Sequence, residues 1–127
     1  MPETGVPFDI FLVAEAAQDL RDVLRWGHEQ FGDYAGMRYS LLLQQAFRDI
    51  AMNPARHGSR ETPELGQNLR SYHLSFSKER ARSALGIVRN PRHFLIYRLE
   101  GPVVQVFRIL HDSMDLATHL PRSTETS

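Results

Sequence analysis

Apolar and polar positions follow three different rhythms along this chain, and each rhythm implies a different element. Phe8-Asp-Ile-Phe-Leu-Val13 is short, aromatic and branched, the composition of a strand. From Ala14 to Phe31, the residues Ala17, Leu20, Leu24, Gly27 and Phe31 recur at helical spacing, with Asp19, Asp22, Arg25 and Glu29 mostly on other faces. Gly32 can take the left-handed conformation that ends this helix, and Asp33 is placed to cap the next. The second helix carries the stripe Tyr39, Leu42, Leu43, Ala46, Phe47 and Ile50 and is stopped by Asn53-Pro54. So short a connection makes the two helices an antiparallel hairpin with both stripes turned to one neighbour, expected to be a sheet.

Residues 55–68 are rich in Gly, Pro, Arg and Glu and predict a surface loop. In Leu69 to Phe76, Arg70, Tyr72, Leu74 and Phe76 alternate with Ser71, His73 and Ser75, the period of a half-buried strand. Ser77 to Pro91 is basic and mixed and predicts no definite element. His93–Leu99 and Pro102–Leu110 then predict two strong strands around a Glu100-Gly101 turn. That turn would set Tyr97 opposite Val104, Leu95 opposite Val106 and His93 opposite Arg108. One face would carry Leu95, Tyr97, Val104, Val106 and Leu110, the other Phe94, Ile96, Val103, Phe107 and Ile109. Both faces are apolar, so both need cover. The helical hairpin covers one, and a short helix from Ser113 to Leu120, stopped by Pro121, leaves scant cover for the other. Either another chain completes the surface or the loops 55–68 and 77–91 fold over it.

The 127 residues suit one domain, expected over 8–120 with a polar tail at 121–127, and 42% hydrophobic residues suit a folded chain. Fifteen basic and fifteen acidic residues cancel, which gives no general reason to bind nucleic acid tightly. The balance is uneven, however. Met1 to Asn53 holds four basic and eight acidic residues, a charge of −4, so the remainder is +4 and is the half an anion would seek. There is no cysteine, no signal-peptide pattern at Met-Pro-Glu-Thr-Gly and no long apolar run, so a cytoplasmic location without membrane contact is expected. Metal-binding spacing, a Gly-rich phosphate loop and a nucleophile elbow are all lacking, and no cofactor is expected.

The expected order of strand, helical hairpin, three-strand antiparallel meander and short terminal helix, an α+β fold, resembles the RelE/ParE toxins of type II toxin–antitoxin systems. The residues that carry the match are Ala16, Ala17, Asp19 and Leu20, then Phe31-Gly32, Asn53-Pro54 and Leu69-Arg70. To these belong Pro91-Arg-His-Phe-Leu-Ile-Tyr-Arg98 and Arg108-Ile-Leu-His-Asp-Ser-Met-Asp115 with His119-Leu120, similar to the family's "H-x-I-x-Y-R" and "R-x-L-H-x-x-x-D" ends. The last resembles the ParE branch more than the RelE branch. The resemblance implies a toxin that poisons DNA gyrase without being an enzyme and is neutralised by a cognate ParD-like antitoxin, as a hetero-oligomer or with a homodimer.

Three functions remain open on the residues. A RelE-like, metal-independent messenger-RNA endoribonuclease at the ribosome would use His111 as acid or base, Arg108 and Arg70 on phosphate, and Tyr97 to stack or donate a proton. With the register above, Arg98 lies about five rungs from Arg108, roughly 16 Å, and on the opposite face, which is not one compact site. The plainer readings are a capping role for His111, sheet packing for Tyr97 and a local pair of Asp115 with His119. Zero net charge also suits a ribosome-entering nuclease poorly. A ParE-like gyrase inhibitor would instead present Trp26, Arg80, Arg82, Arg89, Arg98, His111 and Asp115 on interaction surfaces. The third function is a non-toxic module that only pairs with an antitoxin or with itself.

Overall fold

The structure, a computed structural model, describes residues 7–113. Strand β1 (Asp9–Leu12) leads into helix α1 (Ala14–Phe31), and Gly32, at φ 90°, turns the chain directly into α2 (Asp33–Met52). A positive φ favours glycine, so the expected helix break is where the sequence places it. Asp33 does not cap α2: Gly32 is the N-cap, no side chain accepts there, and the Asp33 carboxylate lies 3.4 Å from His28 Nδ1 in α1. The helices approach closely because two glycines face each other, Gly27 and Gly36, where a Cβ on Gly27 would sit 3.7 Å from the Gly36 Cα.

The remaining elements are β2 (Ser59–Glu61), β3 (Arg70–His73), β4 (His93–Glu100) and β5 (Val103–His111), with 3-10 turns at Pro63–Leu65 and Leu74–Ser77. They form one mixed five-stranded sheet in the order β1-β5-β4-β3-β2, antiparallel throughout except that β1 runs parallel to β5. The expected three-strand meander is therefore a run of four antiparallel strands, because part of the 55–68 loop pairs with β3. Backbone pairing at a sheet edge makes no demand for apolar side chains, so Ser59-Arg-Glu61 left no strand rhythm to read. The expected strand 69–76 is shorter, since the chain coils into a 3-10 turn at Leu74. The terminal helix 113–120 and the polar tail lie outside the described residues, apart from the turn at Asp112-Ser113.

The β4–β5 hairpin turns at Gly101-Pro102, not Glu100-Gly101, with Gly101 at φ 58° and Glu100 paired to Val103. Tyr97 then faces Val106, and the register shifts so that Ile96 faces Arg108, leaving Phe107 as the extra residue of a β-bulge. His93 consequently faces His111, not Arg108. The bulge also exchanges the expected places of Ile109 and Leu110. Ile109 joins Val104 and Val106 in the main core against the helices, while Leu110 joins Leu65, Leu69 and Ile96 on the second face, beside Phe94 and Phe107.

The α2 stripe is in place: Tyr39, Leu42, Leu43, Ala46 and Ile50 are buried and Phe47 packs against them. The α1 stripe is rotated, with Ala16, Val23 and Gly27 buried and Phe31 64% exposed. The second face receives its cover from Leu65 of the 55–68 segment and from Leu69 just after it. Residues 77–91 go to the other side, where Ala81 and Val88 pack on the main core and Arg38 donates to the Leu85 carbonyl at 3.0 Å.

Candidate functional site

β1 ends at Leu12, whose partner is Val106, so β5 continues beyond it with an open edge. Asp19, one turn into α1, closes that edge: its carboxylate accepts from the Ile109 N–H at 2.9 Å and from the Arg108 guanidinium at 2.7 and 3.1 Å. A forked pair of this kind is geometrically specific and, partly buried, holds α1 on the sheet. The Asp19 hydrogen bond raises the Arg108 pKa further. Arg108 is thus committed to the fold.

Next along β5, His111 lies across from His93, their rings 5.2 Å apart. His111 Nδ1 accepts from the Ser113 backbone N–H at 3.1 Å and sits 2.8 Å from the Ser113 hydroxyl, which is a turn-capping arrangement. His93 is buried and its Nδ1 lies 2.7 Å from the Tyr39 hydroxyl, which also accepts from the Arg92 N–H at 3.0 Å. A neutral His93 protonated on Nε2 accepts the Tyr39 hydroxyl proton through Nδ1, the one tautomer that leaves this hydroxyl its proton to donate here. Burial, assisted by the nearby His111, pushes the His93 pKa down to about 4, and burial pushes Tyr39 up to about 12. Below this pair, Asp112 accepts from both Arg92 and His73, at 3.0 to 3.1 Å. Burial opposes its charge, but the His73 and Arg92 hydrogen bonds outweigh burial and hold the carboxyl below its ordinary value.

Trp26 stands edge-on to Phe31, Tyr39, His93 and His111 and forms a wall between two grooves. One, of about 510 Å³, runs between α1 and β5 and is lined by Asp19, Asp22, His93, Arg108 and His111. The other, of about 430 Å³, opens between the tip of the helical hairpin and residues 87–92 and is lined by Phe31, Arg38, Tyr39, Val88, Arg89 and Arg92.

Tyr97 and Arg70 are elsewhere. They pair across β3 and β4, four residues along β4 from His93, or about 13 Å at the usual rise. The Tyr97 ring is fully buried and its hydroxyl donates to the Pro54 carbonyl at 2.6 Å, while Arg70 donates to Ser59 at 2.7 Å and pairs with Glu61. The four ribonuclease candidates therefore form two separate pairs, His111 with Arg108 and Arg70 with Tyr97, each engaged locally.

The interaction candidates are also dispersed. Arg80 pairs at 2.9 Å with the buried Asp49, which is held as well by Gln45, Ser77 and Arg56. Arg82 pairs with Glu79 on its own turn. Arg98 pairs with Glu100 and lies 5.0 Å over the Phe107 ring on the second face. Its β4 position is two residues from the rung of Arg108, not five, because the hairpin turn and bulge shift the register. Trp26 and Arg89 share one groove, Trp26 and His111 the other, and Asp115 lies outside the described residues. Arg38, Tyr39 and Arg92 were not anticipated as lining residues. Tyr39 reads as plain core from its helical spacing, and Arg92 sits inside the recognised Pro91–Arg98 motif without any sign of its partner.

No helix among the described residues is long and apolar enough to cross a membrane, and no group of three or more metal-ligating side chains occurs among them. No curated protein matches the chain. Among solved structures, a chromosomal ParDE toxin–antitoxin system from P. aeruginosa is similar in fold at 13% identity, with a TM-score of 0.59 over 82% of this chain and 95% of that one. The E. coli DinJ-YafQ toxin–antitoxin complex gives 14% identity and a TM-score of 0.46 over 85% and 96%. The model of the ParE toxin of type II toxin–antitoxin systems, parDE, matches residues 10–116, nearly the whole chain. With that match, an α+β fold shared with a ParDE system and the Arg108–His111 ending in place on β5, this chain belongs to the ParE toxin family.

Proposed function

We propose that the free chain inhibits DNA gyrase by binding it, without hydrolytic chemistry of its own, and that a ParD-like antitoxin masks it in the cytoplasm. The observation that carries this reading is the separation of His111 from Tyr97 and Arg70 by four residues of strand, about 13 Å, with Arg108 between them held by Asp19. Acid–base cleavage of RNA requires its proton donor, acceptor and phosphate-binding cations around one phosphate. Here each candidate already serves a structural partner, and the fully buried Tyr97 ring offers no face for a base to stack on.

A binding mode of action asks instead for surface. The hairpin tip offers Phe31, Tyr34 and Met37, between 48% and 70% exposed, and Arg89 shares a groove with Phe31. Exposed aromatic side chains flanked by arginine are the usual anchors of protein–protein contacts.

The test is induction of the chain alone in a bacterial host, following labelled thymidine and labelled methionine over the first minutes. Early loss of thymidine incorporation, relieved by co-expressing the antitoxin, is the expected result. Early loss of methionine incorporation would overturn the proposal in favour of translation, and no loss of either would leave a module that only binds.

A further inference from the structure

The groove beside Trp26 has a lining that its position in the hairpin does not explain. Trp26, Phe31, Ala35, Tyr39, Ile87 and Val88 give it apolar walls, and three arginines, Arg38, Arg89 and Arg92, stand around it with no acidic residue among them. The three cations differ in how far their charge is already met. Arg92 is held by Asp112. Among the described residues, Arg38 donates only to a neutral carbonyl, that of Leu85. Arg89 is exposed, and its guanidinium makes no hydrogen bond or ion pair with any described residue. Two cations at the mouth of an apolar cleft therefore have no acidic partner among the described residues.

We infer that this groove receives an acidic peptide segment of a protein partner, seating one large apolar side chain against Trp26 and Tyr39 with carboxylates on Arg38 and Arg89. The volume of about 430 Å³ accommodates an aromatic or leucine side chain and adjoining backbone. Carboxylates complement arginine forks, and an apolar anchor within such a ring supplies most of the affinity. A nucleic-acid strand fits less well. It carries charge along its whole length, whereas the basic residues here are confined to one mouth and the groove on the other side of Trp26 is lined by Asp19 and Asp22. The inference rests on the reading that the chain works by binding proteins, and it specifies where and with what chemistry.

Trp26 is the chain's only tryptophan and walls both grooves, so its emission reports binding at either, and Arg89→Glu assigns the response to this one. The full chain is titrated with the synthetic peptide Asp-Glu-Leu-Phe-Glu-Asp, with a version carrying Lys at all four acidic places, and with a short single-stranded oligodeoxynucleotide. A saturable change in emission is expected with the acidic peptide only. Arg89→Glu should weaken it about tenfold or more, while Arg60→Glu, on the exposed edge strand β2, should leave it unchanged. Equal response to the lysine peptide, a stronger response to the oligonucleotide, or insensitivity to Arg89→Glu overturns the inference. So does the absence of any change at millimolar peptide. The thymidine experiment is independent of these titrations, so loss of DNA synthesis with a silent groove would reject the groove and keep the gyrase reading.

Discussion

His93 makes the folded state depend on pH in a way that can be calculated. Its pKa falls from 6.5 to about 4 because the ring is buried and lies near His111. The unfolded chain therefore binds a proton that the folded chain refuses between these two values. Stability is then greatest above the unfolded pKa and is lost as pH falls toward the folded one. Each unit is worth about 1.4 kcal/mol, so the full loss is about 3 kcal/mol, of which about 2 kcal/mol falls between about pH 7 and pH 5. Asp112, held below its ordinary value, titrates beneath this window and does not confuse it. Urea unfolding at a series of pH values, followed by Trp26 emission, should show the midpoint dropping by about 1 M across that interval. His93→Asn keeps an acceptor near Nδ1 and cannot be protonated. It lowers stability at neutral pH, but its midpoint should be nearly flat where that of the parent chain slopes. Parallel pH profiles for the two proteins would refute the reasoning, whatever their absolute stabilities.

Asp19→Ala removes the acceptor of both Arg108 and the Ile109 N–H, leaving a partly buried guanidinium without its fork, and should cost about 3 kcal/mol in chemical unfolding; a cost below about 1 kcal/mol would show that the pair is not what fixes α1 on the sheet edge. Tyr97→Phe should lose about 1 to 2 kcal/mol of stability through the orphaned Pro54 carbonyl while growth arrest by the induced chain persists, and loss of arrest in a folded variant would restore Tyr97 to the chemistry. Gly58→Ala combines a φ of 97° with a Cβ 2.4 Å from the Phe76 ring, so it should destabilise by about 2 kcal/mol in thermal unfolding, and an unchanged midpoint would contradict the local packing.

Much of this protein is written in local pattern. The helix limits at Ala14, Phe31 and Met52 follow from apolar spacing, a glycine that accepts positive φ and an Asn-Pro stop, all properties of neighbouring residues. The α2 stripe and the two long strands were legible for the same reason, and the motifs on them sufficed to recognise the family. The location of the hairpin turn was not, because Glu100-Gly101 and Gly101-Pro102 are both acceptable turn pairs and differ only in how distant side chains then register. The bulge at Phe107 was equally hidden: it is chosen because it sends Ile109 into the helix-facing core and frees Arg108 for Asp19, 89 residues earlier. Strand β2 exists only because β3 has an edge to offer it. The candidate site is of this second kind. Trp26, Arg38, Tyr39, Arg89 and Arg92 are scattered through the sequence without a shared spacing, and they become one groove only when the hairpin tip meets residues 87–92. Spacing within an element is determined by the chain's own geometry, whereas proximity between elements depends on burial and pairing summed over the whole fold, which no short stretch of sequence encodes.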